Sequence, residues 1–197
     1  MPLLPAEPML YPDHLFAAPF AEAVPDECGR WWVYQTRPKS EKAFARLLLK
    51  SETAFFLPQY TNSWRKNGRS FQSRLPLFPG YVFVFGAQPA REAAFATNFV
   101  VREITVSDQP QFARELASVR TLLGGGGAVR PEETLPRGLR VKIAEGSFAG
   151  VEGRVLETVE GLRVCVEITL LGQGVSVAVD RWMIRPLEQP EPAASEY

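Results

Sequence analysis

The side chains best suited to chemistry in this chain are cations and aromatic rings, and they are clustered. Residues 30–90 hold ten Lys and Arg against only Glu41 and Glu52, whereas residues 1–29 hold five acids and no base, and residues 91–197 hold twelve bases and fifteen acids. The formal net charge of zero therefore hides a segment of +8. Such asymmetry suits a local surface for phosphates or an acidic partner, not general adhesion to nucleic acid. At about 100° per residue, Lys39, Lys42, Arg46 and Lys50 fall within about 80° of one another on a helix, with Arg37 just ahead of them. Arg65, Lys66 and Arg69 surround an Asn67-Gly68 pair. From the residues alone the helical stripe reads either as a solvated face or as a track for phosphates. The Arg65–Arg69 tip could extend that track, with Trp64 as a stacking platform.

Catalysis finds no comparable constellation. His14 is the only histidine, which excludes a histidine-based triad and a multi-histidine metal site. Cys28 and Cys165 are too few for a disulfide framework and read as reduced thiols. The run Gly124–Gly127 lacks the Lys-Ser/Thr of a phosphate loop, and the acids form no pair that could be placed across a cleft. The expectation is a binding protein, not an enzyme, with no cofactor and no metal. No run of eighteen apolar residues and no signal-peptide pattern is present, so the expected location is the cytoplasm.

The elements that must position the cationic and aromatic residues follow from local patterns. A proline-rich, acidic leader, 1–29, is expected to be mostly disordered. Arg30-Trp31-Trp32-Val33-Tyr34 reads as a strand, and Ser40 with Glu41 opens a helix to about Lys50 with Phe44, Leu47 and Leu48 on its apolar face. Ala54–Tyr60 and Phe71–Leu75 read as strands around the Asn-Gly turn, which tolerates the positive φ of a type I′ hairpin. Pro76-Leu77-Phe78-Pro79-Gly80 then leads rigidly into Tyr81–Phe85, with Tyr81, Phe83 and Phe85 on one side and Val82 and Val84 on the other. A short helix after Pro89, a strand over Val100–Val106 and a helix after Pro110 with Phe112, Leu116, Val119 and Leu123 complete a domain over 30–123. This order is an α+β, ferredoxin-like plan with an added final helix, one sheet face covered by helices and the other open or covered by something else. Residues 124–134 read as a glycine-rich flexible linker. Residues 135–188 read as five short strands closing a small all-β barrel, followed by a tail over 189–197. Glycines 146, 150 and 153 serve its turns.

Two blocks carry a resemblance. Arg30-Trp31-Trp32-Val33-Tyr34-Gln35 with Arg74-Leu75-Pro76-Leu77-Phe78-Pro79-Gly80-Tyr81-Val82-Phe83 resembles the amino-terminal domain of the NusG family of transcription elongation factors. Gly138–Ile143 with Gly146-Ser147-Phe148-Ala149-Gly150-Val151-Glu152-Gly153-Arg154-Val155 resembles that family's KOW motif, which implies an SH3-like barrel. From the residues alone Phe78, Tyr81 and Phe83 read as core. The resemblance instead implies that they lie on a helix-free sheet face and dock the clamp helices of the largest subunit of bacterial RNA polymerase. It further implies that Arg37, Lys39, Lys42, Arg46, Lys50, Arg65, Lys66 and Arg69 face upstream or non-template DNA. Where the family tends to have Phe-Gly for contact with a ribosomal protein or Rho, this chain has Leu171-Gly172. That departure, the leader, and Phe99-Val100 in place of the usual Gly-Val imply a specialised paralogue supporting processive, antiterminated transcription of particular operons. The other reading is a translation-associated or ribosomal RNA-binding KOW protein, although such a protein would usually be basic throughout.

Overall fold

The structure, a computed structural model, describes residues 8–16, 29–134 and 138–187. In chain order the elements are β1 (Leu10–Tyr11), β2 (Arg30–Thr36), α1 (Glu41–Lys50), β3 (Ala54–Phe56), β4 (Gln59–Lys66), β5 (Arg69–Pro76), β6 (Tyr81–Gly86), α2 (Gln88–Ala96), β7 (Val100–Ile104) and α3 (Gln109–Gly124). Then come β8 (Arg130–Glu132), β9 (Arg140–Ile143), β10 (Glu152–Thr158), β11 (Gly161–Ile168), β12 (Gln173–Ala178) and β13 (Ile184–Pro186). The result is a mixed α and β architecture with antiparallel pairing in each sheet.

The first sheet runs β1-β3-β6-β2-β7. Its alternation sorts side chains onto two faces, as the two-residue period of a strand requires. Tyr34, Val82, Val84 and Phe55 meet Phe44, Ala45 and Leu48 of α1 and Ala94 of α2 on one face. Trp31, Val33, Phe56, Phe83 and Phe85 lie on the other, against Phe112, Leu116, Val119 and Leu122 of α3. The expected helix-free face is therefore covered. A sixteen-residue helix with apolar residues at helical spacing has to bury that stripe, and the aromatic side of the sheet is what it meets. Gln109 fixes the helix start: its side chain accepts from Trp31 N–H at 2.7 Å and donates to Trp31 C=O at 3.0 Å.

Three further expectations change. The described part of the leader is structured: Leu10 and Tyr11 pair with Phe56 and Phe55, Leu15 is buried, and the Phe16 ring stacks on Trp31 at 5.7 Å. Apolar side chains and an unpaired strand edge supply what composition did not reveal; the other leader residues lie outside the described set. The expected single strand over Ala54–Tyr60 breaks at Leu57-Pro58, because proline has no N–H for a ladder. On α1 the buried set is Glu41, Phe44, Ala45 and Leu48, with Leu47 exposed.

The second sheet runs β13-β9-β10-β11-β12-β8, and β8 comes from the segment expected to be a flexible linker. A buried polar network secures it. Arg163 donates through Nε to Ser176 Oγ and through Nη2 to the carbonyls of Ser176 and Ala128, while the Ser176 hydroxyl donates to Glu132 on β8. The apolar side of this sheet, including Val141, Ile143, Val164, Val166, Val175 and Val177, belongs to the same buried cluster as α3 and the aromatic face of the first sheet.

Candidate functional site

The aromatic block is built around a clamped turn. Gly80 has φ +84, a left-handed conformation that a side chain would strain. Its N–H donates to a Glu41 carboxylate oxygen at 2.6 Å and its carbonyl accepts from Thr36 N–H at 2.8 Å, so α1 and β2 both hold it. Glu41 is itself buried. An acid in the first turn of α1 thus does more than favour the helix dipole: it fixes the approach to β6. On either side of Gly80, Phe78 and Phe83 are 1% and 0% exposed, whereas Tyr81 is half-buried. Phe83 meets Phe78 and Phe112 edge-on, each at 5.7 Å between centroids. Two of the three rings expected on an open surface are interior because α3 lies over them; Tyr81 alone reaches the rim.

The cations fall on two connected surfaces. Arg37, Lys39, Arg46 and Lys50 are exposed, and Lys42 is half-buried with Nζ donating to Arg74 C=O at 2.6 Å. That bond fastens the base of the β4–β5 hairpin to the basic face of α1. The hairpin turn has Asn67 and Gly68 at φ 51 and 73, and Arg65, Lys66 and Arg69 around it are exposed. No acid occurs between Glu52 and Glu92, so nothing in that stretch neutralises these bases. The expected Trp64 platform has a second member that single-residue reading missed: Phe71, directly opposite, stacks on it at 5.7 Å and 15°. The signal was available in the equal spacing of the two rings from the Asn-Gly turn.

Residues 29–131 match the family model described as transcription termination factor nusG. The chain belongs to the NusG family. The match spans more than half of the chain and includes the aromatic block, the basic helix and the hairpin. NusG-family proteins are transcription factors, and a transcription-related role follows for this one. A solved structure described as "Domain interaction in Thermotoga maritima NusG" is 21% identical, with a TM-score of 0.48, covering 81% of this chain and 98% of that one. A search of curated proteins finds no match.

Beyond the family match, the NusG-family chain seats its second sheet against α3. Glu115 accepts from Thr169 Oγ1 at 2.7 Å and Thr169 N–H at 3.2 Å. The Phe148 ring lies against Gly125 and Gly127, where a Cβ on Gly125 would meet ring atoms at 2.2 Å. A cleft of about 900 Å³ between α3 and the second sheet is lined by Arg114, Glu115, Arg154 and Glu167 among others, and its charges are balanced, with Arg154 paired to Glu167 at 2.7 Å. Leu171 is half-buried against the shared cluster, just before Gly172 at φ 63. Cys165 is buried, and burial pushes its thiol up to about 12; Cys28 lies outside the described residues. On the far face, Arg91 pairs with Glu103 at 2.8 Å, and Arg30 and Arg91 lie over the Trp32 ring. Burial, followed by the Glu103 charge, holds the nearby Tyr34 hydroxyl well above its usual range. Among the described residues no group of His, Cys, Asp or Glu could hold a metal ion, and no helix is long and apolar enough to cross a membrane.

Proposed function

We propose that this NusG-family protein is a cytoplasmic elongation factor that binds the clamp helices of RNA polymerase and promotes processive, antiterminated transcription on particular operons. The family match over residues 29–131 carries the reading, because it spans the aromatic block and both basic surfaces. Tyr81, at the rim, makes the clamp-helix contact, with Phe78 and Phe83 packed beneath it as support. Arg37, Lys39, Lys42, Arg46, Lys50, Arg65, Lys66 and Arg69 face upstream or non-template DNA, where cations displace counterions from phosphates. The second sheet acts as an SH3-like KOW domain whose Leu171 turn offers an apolar contact to a ribosomal protein.

The test reverses Arg37, Arg46 and Lys50 to Glu, leaving Lys42 to hold the hairpin. Association with a DNA-containing elongation complex should weaken at low salt and converge with wild type as salt rises, while binding to free polymerase stays unchanged. Equal losses on free polymerase and on the elongation complex would refute the DNA-facing assignment.

A further inference from the structure

Residues 9–16 lie ahead of the family-matched residues 29–131 and close one side of the first sheet. Leu10 and Tyr11 pair with Phe56 and Phe55 on the β3 edge, and Leu57 N–H donates to Met9 C=O at 2.7 Å. A turn follows, in which Leu15 N–H donates to Pro12 C=O at 3.0 Å. It brings Leu15 and Phe16 onto the aromatic side of the sheet, where Leu15 is fully buried. The Phe16 ring meets Phe56 of β3 edge-on at 5.0 Å and stacks on Trp31 of β2 at 5.7 Å, so it bridges β6, the strand between them. α3 reaches the same face through Phe112, against Trp31 and Phe83. The aromatic face thus has two covers, a sixteen-residue helix and this short segment. Phe56 opposes Phe83 in the ladder, and Phe83 stands one side-chain repeat, about 7 Å, from Tyr81.

We propose that residues 9–16 are an autoinhibitory strap, which fills the apolar seat beside Tyr81 and is displaced when a polymerase clamp helix docks there. The proposal rests on the clamp-helix reading of Tyr81 and deepens it by naming what the helix must move. A helix with its side chains is about 10–12 Å across. One centred over Tyr81 therefore needs the space that Phe16 fills above the Phe56–Phe83 row. Of the two covers, the strap is the one that leaves at low cost. Its ladder is two residues long and its departure leaves β3 as the sheet edge, whereas α3 buries Phe112, Leu116, Val119 and Leu122 in the shared core. Short pairings near a chain end open locally, well below the free energy of global unfolding. The apolar stripe of the incoming helix replaces Leu15 and Phe16 on Trp31 and Phe56, so the face is covered in both states. A seat that is open in only a fraction of molecules lowers the apparent affinity by that fraction.

The test titrates the full chain with a synthetic segment spanning the clamp helices, using wild type and the double substitution of Leu15→Ser with Phe16→Ser, and follows amide hydrogen exchange in wild type. The double substitution should bind the segment about tenfold more tightly or better, because the strap no longer competes. A synthetic peptide of residues 8–16 should in turn weaken that binding. In wild type, the Leu57 N–H held by Met9 should exchange sooner than the amides at the centre of β6. Saturation with the segment should speed exchange at Leu57 further. If both proteins bind alike and Leu57 keeps its protection in the complex, strap and helix share no space; the strap is refuted and the clamp reading stands. The exchange measurement uses the unaltered chain, so it decides the question even where the double substitution fails to fold. A folded double variant that binds more weakly would make Leu15 and Phe16 part of the docking surface and overturn the proposal. If the segment binds neither protein, the clamp reading fails and the strap falls with it.

Discussion

Phe83→Ala separates an interior role from an interface role more sharply than any other substitution in the aromatic block. The ring is fully buried and bounded by Phe56 at 6.4 Å, and by Phe78 and Phe112 at 5.7 Å. Phe56 and Phe112 are fixed in β3 and α3, and Phe78 is held by the clamped turn at Gly80, so the walls cannot collapse far into the vacated space. A Phe→Ala change at such a position costs about 3–5 kcal/mol, the lost transfer energy plus the cavity left behind. At roughly 2–4 °C per kcal/mol for a cooperative unit of about 150–250 residues, the melting temperature should fall by at least about 6 °C. Half-buried Tyr81→Ala should cost far less stability, about 1–2 kcal/mol, and far more clamp-helix affinity, on the order of 2 kcal/mol for a good anchor. Differential scanning calorimetry of the full chain, with titration against a polymerase clamp-helix segment, reads both quantities. A Phe83→Ala protein that melts within a degree or two of wild type would refute the packing beneath α3. A Tyr81→Ala protein that binds normally would remove the rim contact.

Gly125→Ala should loosen the second sheet from α3, because its Cβ cannot share space with the Phe148 ring 2.2 Å away; small-angle scattering should show a larger radius of gyration, and adding Phe148→Ala should reverse the change. Unaltered scattering and melting in Gly125→Ala would show that the ring does not occupy that seat. Cys165 should make stability fall in alkali: burial raises its folded value to about 12 from 9.0, so its contribution is complete below about pH 9 and is lost as pH rises toward 12, where the unfolded chain has already released the proton. Urea unfolding of wild type and Cys165→Ala at pH 7 and 10.5 checks this, since the stability gap between them should narrow at the higher pH.

The sequence discloses what is local and conceals what depends on a meeting of two surfaces. The alternation of Tyr81, Phe83 and Phe85 against Val82 and Val84 is legible because a strand has a fixed period, and the structure sorts those residues into two clusters. Asn67-Gly68 announces its turn because few residues accept positive φ. The spacing of Phe112, Leu116 and Val119 likewise marks an apolar face on α3, but periodicity does not say which surface that face will meet. Hence the aromatic side of the sheet was expected to be open. Glu41 points inward against the ordinary preference of a carboxylate, and only the position of Gly80 explains it. The glycines of Gly124–Gly127 read as flexibility by composition, whereas two of them provide the absence of a side chain that Phe148 requires.

The attachment of β8 to the second sheet sets how far that sheet could travel. With Arg163, Ser176 and Glu132 holding β8, the chain between α3 and β8 is only residues 125–129. Five residues span at most about 18 Å when fully extended. Were the sheet to lift from α3, it would remain confined beside it at an effective concentration in the millimolar range. A soluble partner present at about micromolar level would compete evenly for the same surface only with roughly a thousandfold greater intrinsic affinity. A partner already held beside this protein would escape that handicap, so the shortness of the glycine tether favours pre-assembled neighbours over proteins free in solution.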